Sequence, residues 1–387
     1  MLIPLYLFAI IALIVGTAAI YMALIRIFPV QWLYYHYFIR KPIVWSIFLG
    51  SILWVSWITL QTNIFPLSTI FPIILMGLAV LLSYKMHQEN AFKAVDYPTI
   101  AEDVSSLPLK NDMQLVLIEY DGITKAYPLD YVIHHHVVND EYGEKTVALT
   151  YCAMCRSIIA FDVTDIGPLF VGSFKNANMI VADRRTKTFF QQTTFDSIIG
   201  RLHPHTLTMI PSQILSWCDI KTLKPIPQVV KVTQKDFRDF QLPIPGIWKK
   251  IIQSEATPGL AAKERDKSFP ARTHVVGIID KIAQSRVVYL KEELIKHGIT
   301  INEDLDVFFV ATNDAVLAFK NPATGKSLHI TIEQDSTLCD EASKTVWDIR
   351  GKHISGEIES DLVPIGISDE YWFSWKKFHP ESKLIRI

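Results

Sequence analysis

The chain has 387 residues, with 38 Lys plus Arg against 39 Asp plus Glu, and half of its residues are hydrophobic. Balanced charge leaves no basic face by composition and argues against nucleic acid as a partner. Four cysteines at this length exclude a disulfide scaffold.

Charge distribution divides the chain. No Asp or Glu occurs before Glu89, so all 39 acidic residues, and 35 of the 38 basic ones, lie beyond residue 84. Before that point, three apolar runs, Leu2 to Phe28, Ile43 to Leu60 and Phe65 to Leu82, each approach the ~20 residues that a helix needs to cross a bilayer. Residues 1–88 therefore read as a membrane region of three transmembrane helices, with the lipid bilayer as partner and a multi-pass cell-membrane location. A signal peptide is the alternative for the first run, but no basic segment or small-residue cleavage site accompanies it. Trp32, Tyr34, Tyr35 and Tyr37 read as headgroup-belt aromatics in the first connecting loop. Arg26, Arg40 and Lys41 flank that loop and place it, with the soluble part, in the cytoplasm by the positive-inside rule.

Beyond residue 96 the chain alternates β-type runs with Gly, Pro, Asn and Asp. "MQLVLIEYDGITKAYPL" predicts a strand, an Asp-Gly turn and a second strand. "KTVALTYCAMCRSIIAFDV" predicts a strand pair or one bent strand, and the three histidines before it are read as strand residues, with His134 and His136 on one face and His135 on the other. "YLKEELIKHGI" has helical spacing stopped by Gly298. The fold class expected is α+β and β-rich, behind the N-terminal membrane helices.

The soluble part also matches itself. Tyr127 falls on Tyr289, His134 on His297 and Asn139 on Asn302; Ile158 to Phe161 fall on Val316 to Phe319, "DRRTKT" on "DEASKT", and Gly200 on Gly356. A Trp followed by a Pro closes each copy, Trp217 with Pro225 and Trp375 with Pro380. Two similar units are expected, 96–225 and 271–387, packed as a pseudo-twofold pair. The Pro-rich 226–270 is read as a surface connector. In this matching Val310, Asn313 and Gly298 stand where the first unit has Cys152, Cys155 and His135. A scaffold built twice with those side chains in one copy only points to reactivity rather than packing.

At "TYCAMCRSIIAFD", followed by "GSFKNANMIVADRRTKTFFQQ" and "IIGRLHPHTL", the sequence resembles the DUF3179 family of bacterial and archaeal proteins, from about Lys110 to the C-terminus. The resemblance rests on Cys152 and Cys155, on His135 with Val138-Asn139-Asp140, on Asp183, Arg184 and Thr186, and on Trp372-Phe373-Ser374-Trp375. The chain departs from the family pattern at His136, Ala153, Met154, Phe190 and Pro204. The resemblance supplies no activity. It implies export for many relatives, against the charge-based orientation.

Cys152 and Cys155 have three readings: a soft-metal pair needing further ligands, a dithiol/disulfide pair, or two small core residues. The reading adopted is a transition-metal site, Cu or Zn, formed by Cys152, Cys155 and His135 with His134 or His136, serving metal handling or electron transfer. A non-catalytic binding or assembly module with a protein partner, and a membrane-bound thiol oxidoreductase, are the alternatives, so whether the protein is an enzyme stays open. His203 and His205 are read as surface or turn histidines, with a His-x-His pair on one strand face the alternative; Cys218 and Cys339 are read as core; Asp183, Arg184 and Arg185 are read as stabilising a turn, with substrate binding by the arginines the alternative.

Overall fold

The computed structural model describes residues 2–233, 254–280, 285–312, 315–320, 328–333 and 336–387. Three helices are long and apolar enough to cross a membrane: α1 (Leu2–Leu24), α2 (Val30–Thr62) and the segment Leu67–Lys85, whose α-helical part is α3 (Ile70–Lys85). Leu5, Ala9, Ala12, Gly16, Ala19 and Ala23 recur at helical spacing and form the buried stripe of α1. At Gly16 the backbones of α1 and α3 meet so closely that a Cβ would lie 2.7 Å from the carbonyl oxygen of Ala79.

The first loop is shorter than the sequence suggests. The turn occupies only residues 25–29, and the four aromatics expected in a loop lie within α2. At 33 residues this helix is about 50 Å long, well beyond the ~30 Å of bilayer hydrocarbon, so its N-terminal turns extend along the soluble part. There Tyr34 packs edge-on against Phe189 and Tyr37 lies against Phe170, with ring centroids 5.4 and 5.9 Å apart. Trp32 and Tyr35 are exposed. The charges used to orient the chain have partners in the fold: Arg26 pairs with Glu264, and Arg40 donates to the Ser83 carbonyl at the end of α3.

After the short helix α4 (Gln88–Ala91), thirteen strands follow: β1 (Val95–Asp96), β2 (Gln114–Tyr120), β3 (Ile123–Pro128), β4 (Val137–Tyr142), β5 (Lys145–Cys152), β6 (Ser157–Asp162), β7 (Leu169–Lys175), β8 (Asn178–Asp183), β9 (Phe189–Gln191), β10 (Ser197–Ile199), β11 (Thr208–Ile210), β12 (Gln213–Ser216) and β13 (Gln228–Val229). Helix α5 (Leu129–His135) sits between β3 and β4, and α6 (Trp217–Ile220) follows β12. The sheets run β12-β2-β3-β13, β1-β4-β5-β6-β11 and β10-β9-β8-β7.

The C-terminal part contributes β14 (His274–Asp280), β15 (Ser285–Leu290), β16 (Ile299–Asn302), β17 (Val307–Ala311), β18 (Val316–Lys320), β19 (Ile330–Ile332), β20 (Leu338–Asp340), β21 (Thr345–Trp347), β22 (His353–Ser355), β23 (Val363–Pro364), β24 (Ser368–Tyr371) and β25 (Lys383–Ile385). Helix α7 (Lys291–His297) follows β15 and α8 (Trp372–Phe378) follows β24. The sheets run β24-β14-β15-β25, β16-β17-β18-β23 and β19-β20-β21-β22. In both parts the first sheet is an antiparallel hairpin with an antiparallel strand on one edge and a parallel one on the other.

Local chemistry accounts for the turns. Asp121 and Gly122 both take positive φ and close the β2–β3 hairpin, as an Asp-Gly pair does. Helix α7 ends where Gly298, at φ 72°, donates its N–H to Leu294, as predicted. The histidine segment is not a strand. Tyr131, Val132 and His135 form the buried face of α5, and His136 ends that helix at φ 60°, its N–H on the Val132 carbonyl. Successive residues there advance by helical rotation, so the expected strand faces do not exist.

The connector is also more than a surface strap. Gln228–Val229 pairs in parallel with β3, Val230 is buried, and Leu260 packs on the core around the cysteines. Residues 234–253 lie outside the described residues. The two parts interleave. Leu115, Leu117 and Val229 of the first hairpin sheet share a core with Phe308, Val310, Phe319 and Trp347, while Ala271, Ile279, Tyr371 and Phe373 pack into the core of β5 to β9. A fully buried phenylalanine such as Phe161 or Phe309 contributes about 1.5–3 kcal/mol relative to an exposed one.

Candidate functional site

Cys152 is the last residue of β5 and faces Ser157, the first of β6, across the hairpin. The turn is closed by the Arg156 N–H on the Cys152 carbonyl at 2.7 Å, with Arg156 at φ 61°. Both cysteines are free thiols and buried, Cys155 completely and Cys152 at 3 % exposure.

A buried polar network holds Cys155. Its Sγ lies 3.2 Å from the Ser157 hydroxyl and accepts from Asn178 Nδ2 at 3.1 Å. Ser157 donates to Gln192 Oε1 at 2.7 Å, and Gln192 donates through Nε2 to Thr150 Oγ1 at 3.1 Å. Such a network is costly unless every member finds a partner, and here each polar side chain does.

The second part of the chain closes the site. The Tyr371 N–H donates to the Cys155 carbonyl at 2.9 Å, and Arg272 donates to the Met154 carbonyl at 2.6 Å while covering the faces of Tyr371 and Phe373. Glu370, next to Tyr371, is 0 % exposed; its Oε1 accepts from Thr193 at 3.0 Å and Ser368 at 2.9 Å.

The thiols differ in proton affinity. Burial alone pushes the Cys152 thiol up, but hydrogen bonds from the Cys155 thiol and from the N–H groups of Cys155, Met154 and Met179 outweigh it and hold Cys152 below its usual range. Burial pushes the Cys155 thiol well up, and the neighbouring Cys152 raises it further. Burial lifts the Glu370 carboxyl to about 8, and the adjacent Cys155 adds to the shift. The arrangement therefore buries together two thiols whose proton affinities are shifted in opposite directions and, on the covering strand, a carboxyl of raised proton affinity.

The histidines hold other positions. The Nδ1 of His135 lies 3.2 Å from the Lys93 carbonyl, and His136 Nδ1 lies 3.0 Å from the Tyr151 carbonyl with its ring against Phe92. His134 stacks edge-on with His135, its centroid 4.8 Å away. Burial takes His136 down to about 4. Among the described residues no group of three or more His, Cys, Asp or Glu converges on a point that could hold an ion.

Strand pairing shifts the internal matching. Tyr151 donates to the His136 carbonyl as Ala311 donates to that of Gly298, and Tyr127 bonds Asp140 as Tyr289 bonds Asn302. His135 and His297 each end their helix, so a histidine at that position is not confined to the first part. Thr150 and Val310 occupy like pairing positions, which sets Cys152 against Thr312 rather than Val310. The turn bearing Cys155 is two residues longer than the corresponding one, residues 152–157 against 312–315. Asn313 itself lies outside the described residues.

Other sequence readings divide. Asp183 accepts from the N–H of Thr188 at 2.8 Å and from the Thr186 hydroxyl at 2.6 Å, the turn role expected of it. His203 is tied to Ser197 at 3.0 Å in a turn, also as expected. Cys218 is not core but exposed, and Cys339 is half-buried. Glu370 and Arg272 escaped sequence reasoning because both come from the part without the cysteine pair; Asn178 and Gln192 lay within the quoted motif segments, where their polarity in apolar runs was the available signal.

No match was found among the curated proteins or the solved structures compared. A family model described as "Protein of unknown function (DUF3179)" matches residues 89–382, spanning both sheet sets, the cysteine turn and Glu370, and the chain belongs to that family.

Proposed function

We propose that this protein is a membrane-anchored thiol oxidoreductase whose working group is the Cys152–Cys155 dithiol. The observation that supports it best is two buried free thiols three residues apart in one tight turn, closed by the Arg156 N–H on the Cys152 carbonyl and with Cys155 held by Ser157 and Asn178. A thiolate is the attacking form and a protonated neighbour is held back for the second step. The Cys152 thiolate attacks a substrate disulfide, forming a mixed disulfide and expelling one substrate thiolate. Cys155 then loses its proton and attacks the Cys152 sulfur, expelling the second, so that the protein dithiol is oxidised and the substrate disulfide reduced. The slight exposure of Cys152 and the burial of Cys155 fit that order.

The site adjoins the membrane helices. Lys175 donates to the Met22 and Ile25 carbonyls at the end of α1, at 2.7 and 2.8 Å, and three residues later Asn178 holds Cys155. This favours a substrate presented at the bilayer surface.

The chain is read as two copies of one unit, residues 96–225 and 271–387, with only the first carrying the thiols. The recurring strand order, the Tyr127 and Tyr289 bonds, and Asp183 and Asp340 each accepting from a hydroxyl three residues on support that reading. The reciprocal packing of each hairpin sheet on the other part supports a pseudo-twofold arrangement.

A second reading keeps the metal: Cu(I) held between the two sulfurs, favoured by soft thiolates converging out of water. Zinc would need further ligands, and His135, His134 and His136 would have to leave their present contacts to provide them. Metal analysis of the full-length protein beside Cys152→Ser/Cys155→Ser separates the two. Thiol chemistry expects equal, negligible metal in both and turnover of a disulfide substrate only in the parent; stoichiometric metal lost in the variant favours Cu(I).

A further inference from the structure

Within that thiol reading, we infer that Glu370, supplied by the part of the chain that lacks the cysteine pair, is the acceptor of the proton that Cys155 gives up when the internal disulfide closes. Cys155 has no solvent to receive a proton, being 0 % exposed, and its partners Asn178 and Ser157 belong to an amide and hydroxyl network with no ionisable member. Glu370 is the buried carboxyl on the strand that covers it. The adjoining Tyr371 N–H fixes that strand on the Cys155 carbonyl at 2.9 Å, and Thr193, which donates to the Glu370 carboxyl, directly follows Gln192 of the network around Cys155.

The carboxyl is built to change charge. Oε1 receives two hydroxyl donors, while Oε2 is sealed from solvent beside the Ser374 hydroxyl, which acts on the carboxyl without making a well-formed hydrogen bond to it. Burial makes a permanently ionised carboxylate with one weakly solvated oxygen unfavourable, and taking up a proton relieves that cost. The second step balances: the Cys155 thiol, the mixed disulfide on Cys152 and the Glu370 carboxylate give the Cys152–Cys155 disulfide, the substrate thiolate and the Glu370 carboxylic acid.

Other ionisable groups around it have separate tasks. Arg272 is held by the Met154 carbonyl and two aromatic faces, Arg156 by His274 at 2.7 Å, and Asp369 is paired with Lys291. His379 has Nε2 at 3.2 Å from the Thr193 carbonyl, and burial raises the Tyr151 hydroxyl. Cys152 is spent as the nucleophile.

The test uses the full-length protein in detergent and a symmetrical aromatic disulfide that releases a coloured thiolate. The first equivalent reports attack by Cys152 and the second reports closure by Cys155. For Glu370→Gln, which keeps the shape and the oxygen facing Thr193 and Ser368, the first step is expected within about threefold of the parent. The second should slow at least about tenfold at pH 7.5 and lose its inflection near pH 8. Should that variant fail to fold, Thr193→Val keeps the carboxyl but removes one donor, and its inflection should move upward. An unchanged second-step profile in whichever variant folds overturns the role of Glu370. Absence of a second equivalent from the parent protein itself overturns the thiol reading instead.

Discussion

The β5–β6 turn and the β17–β18 turn join strands of like pairing and differ in what they carry. The first spans residues 152–157, holds two thiols and is threaded by an amide network; the second spans 312–315 and is closed by Thr312 donating to Ala315 at 2.9 Å. What both parts keep is what the backbone requires: a tyrosine bonded to the strand beyond the helix, an aspartate-closed turn and a glycine pressed on a threonine. On the proposed two-copy reading, the longer, cysteine-bearing turn is an addition to the shared architecture, and its chemistry is a better guide to function than its packing. The comparison also shows that the site is completed by the plainer part, through Glu370, Tyr371 and Arg272.

The comparison breaks most severely at Gly277. Its counterpart in β2 is Leu117, both lying one residue beyond the partner of a tyrosine, Val276 opposite Tyr289 and Val116 opposite Tyr127. A Cβ on Gly277 would meet the Trp375 ring at 1.9 Å. Gly277→Leu is therefore expected to lose about 3 kcal/mol or more, read as a large fall in the denaturation midpoint. Retained stability would show that Trp375 is free to move.

Paired glycines sharpen the likeness. Gly200 and Gly356 have φ of 130° and 113°, and a Cβ on each would lie 2.5 Å from the Thr188 Cα and 2.2 Å from the Thr345 Cα. Alanine at either position is expected to cost about 1–3 kcal/mol, with the two values close to each other in chemical denaturation. A large cost at one and none at the other would undo the equivalence of the two turns.

Two buried groups give pH-dependent stability in opposite senses. His136 is lowered from 6.5 to about 4 on folding, so its contribution is present above 6.5 and lost as pH falls through 4. Glu370 is raised from 4.5 to about 8, so its contribution is present below 4.5 and lost as pH rises through 8. His136→Gly, which copies Gly298, should flatten the acid limb of a melting-temperature profile, and Glu370→Gln the alkaline limb. The smallest effect belongs to Arg184→Gln. Its half-exposed pair with Asp96, at 3.0 Å, is worth less than about 1 kcal/mol and should weaken further in salt.

Much of the architecture could be read from the residues. Acid-free apolar runs gave the three helices, Asp121-Gly122 gave its hairpin and Gly298 its helix end. Helix α5 was hidden because "LDYVIHH" is one short run of aromatic and β-branched residues whose burial, not its period, selects the helix. The internal matching slipped by one residue at the histidines and by two at the cysteines; the second slip follows from the two-residue difference between the turns, where a sequence comparison has no hydrogen bonds with which to place the gap. The cysteines were visible; their surroundings were not, since Glu370 lies 215 positions from Cys155 and only the covering strand brings it there.

The central claim is that Cys152 and Cys155 interconvert between dithiol and disulfide. The direct measurement is the intact mass of the full-length protein after equilibration with oxidised and with reduced small thiols, followed by peptide mapping. The account predicts a reversible loss of two hydrogens located at Cys152 and Cys155 and absent from Cys152→Ser/Cys155→Ser; a mass that stays the same under both conditions would contradict it.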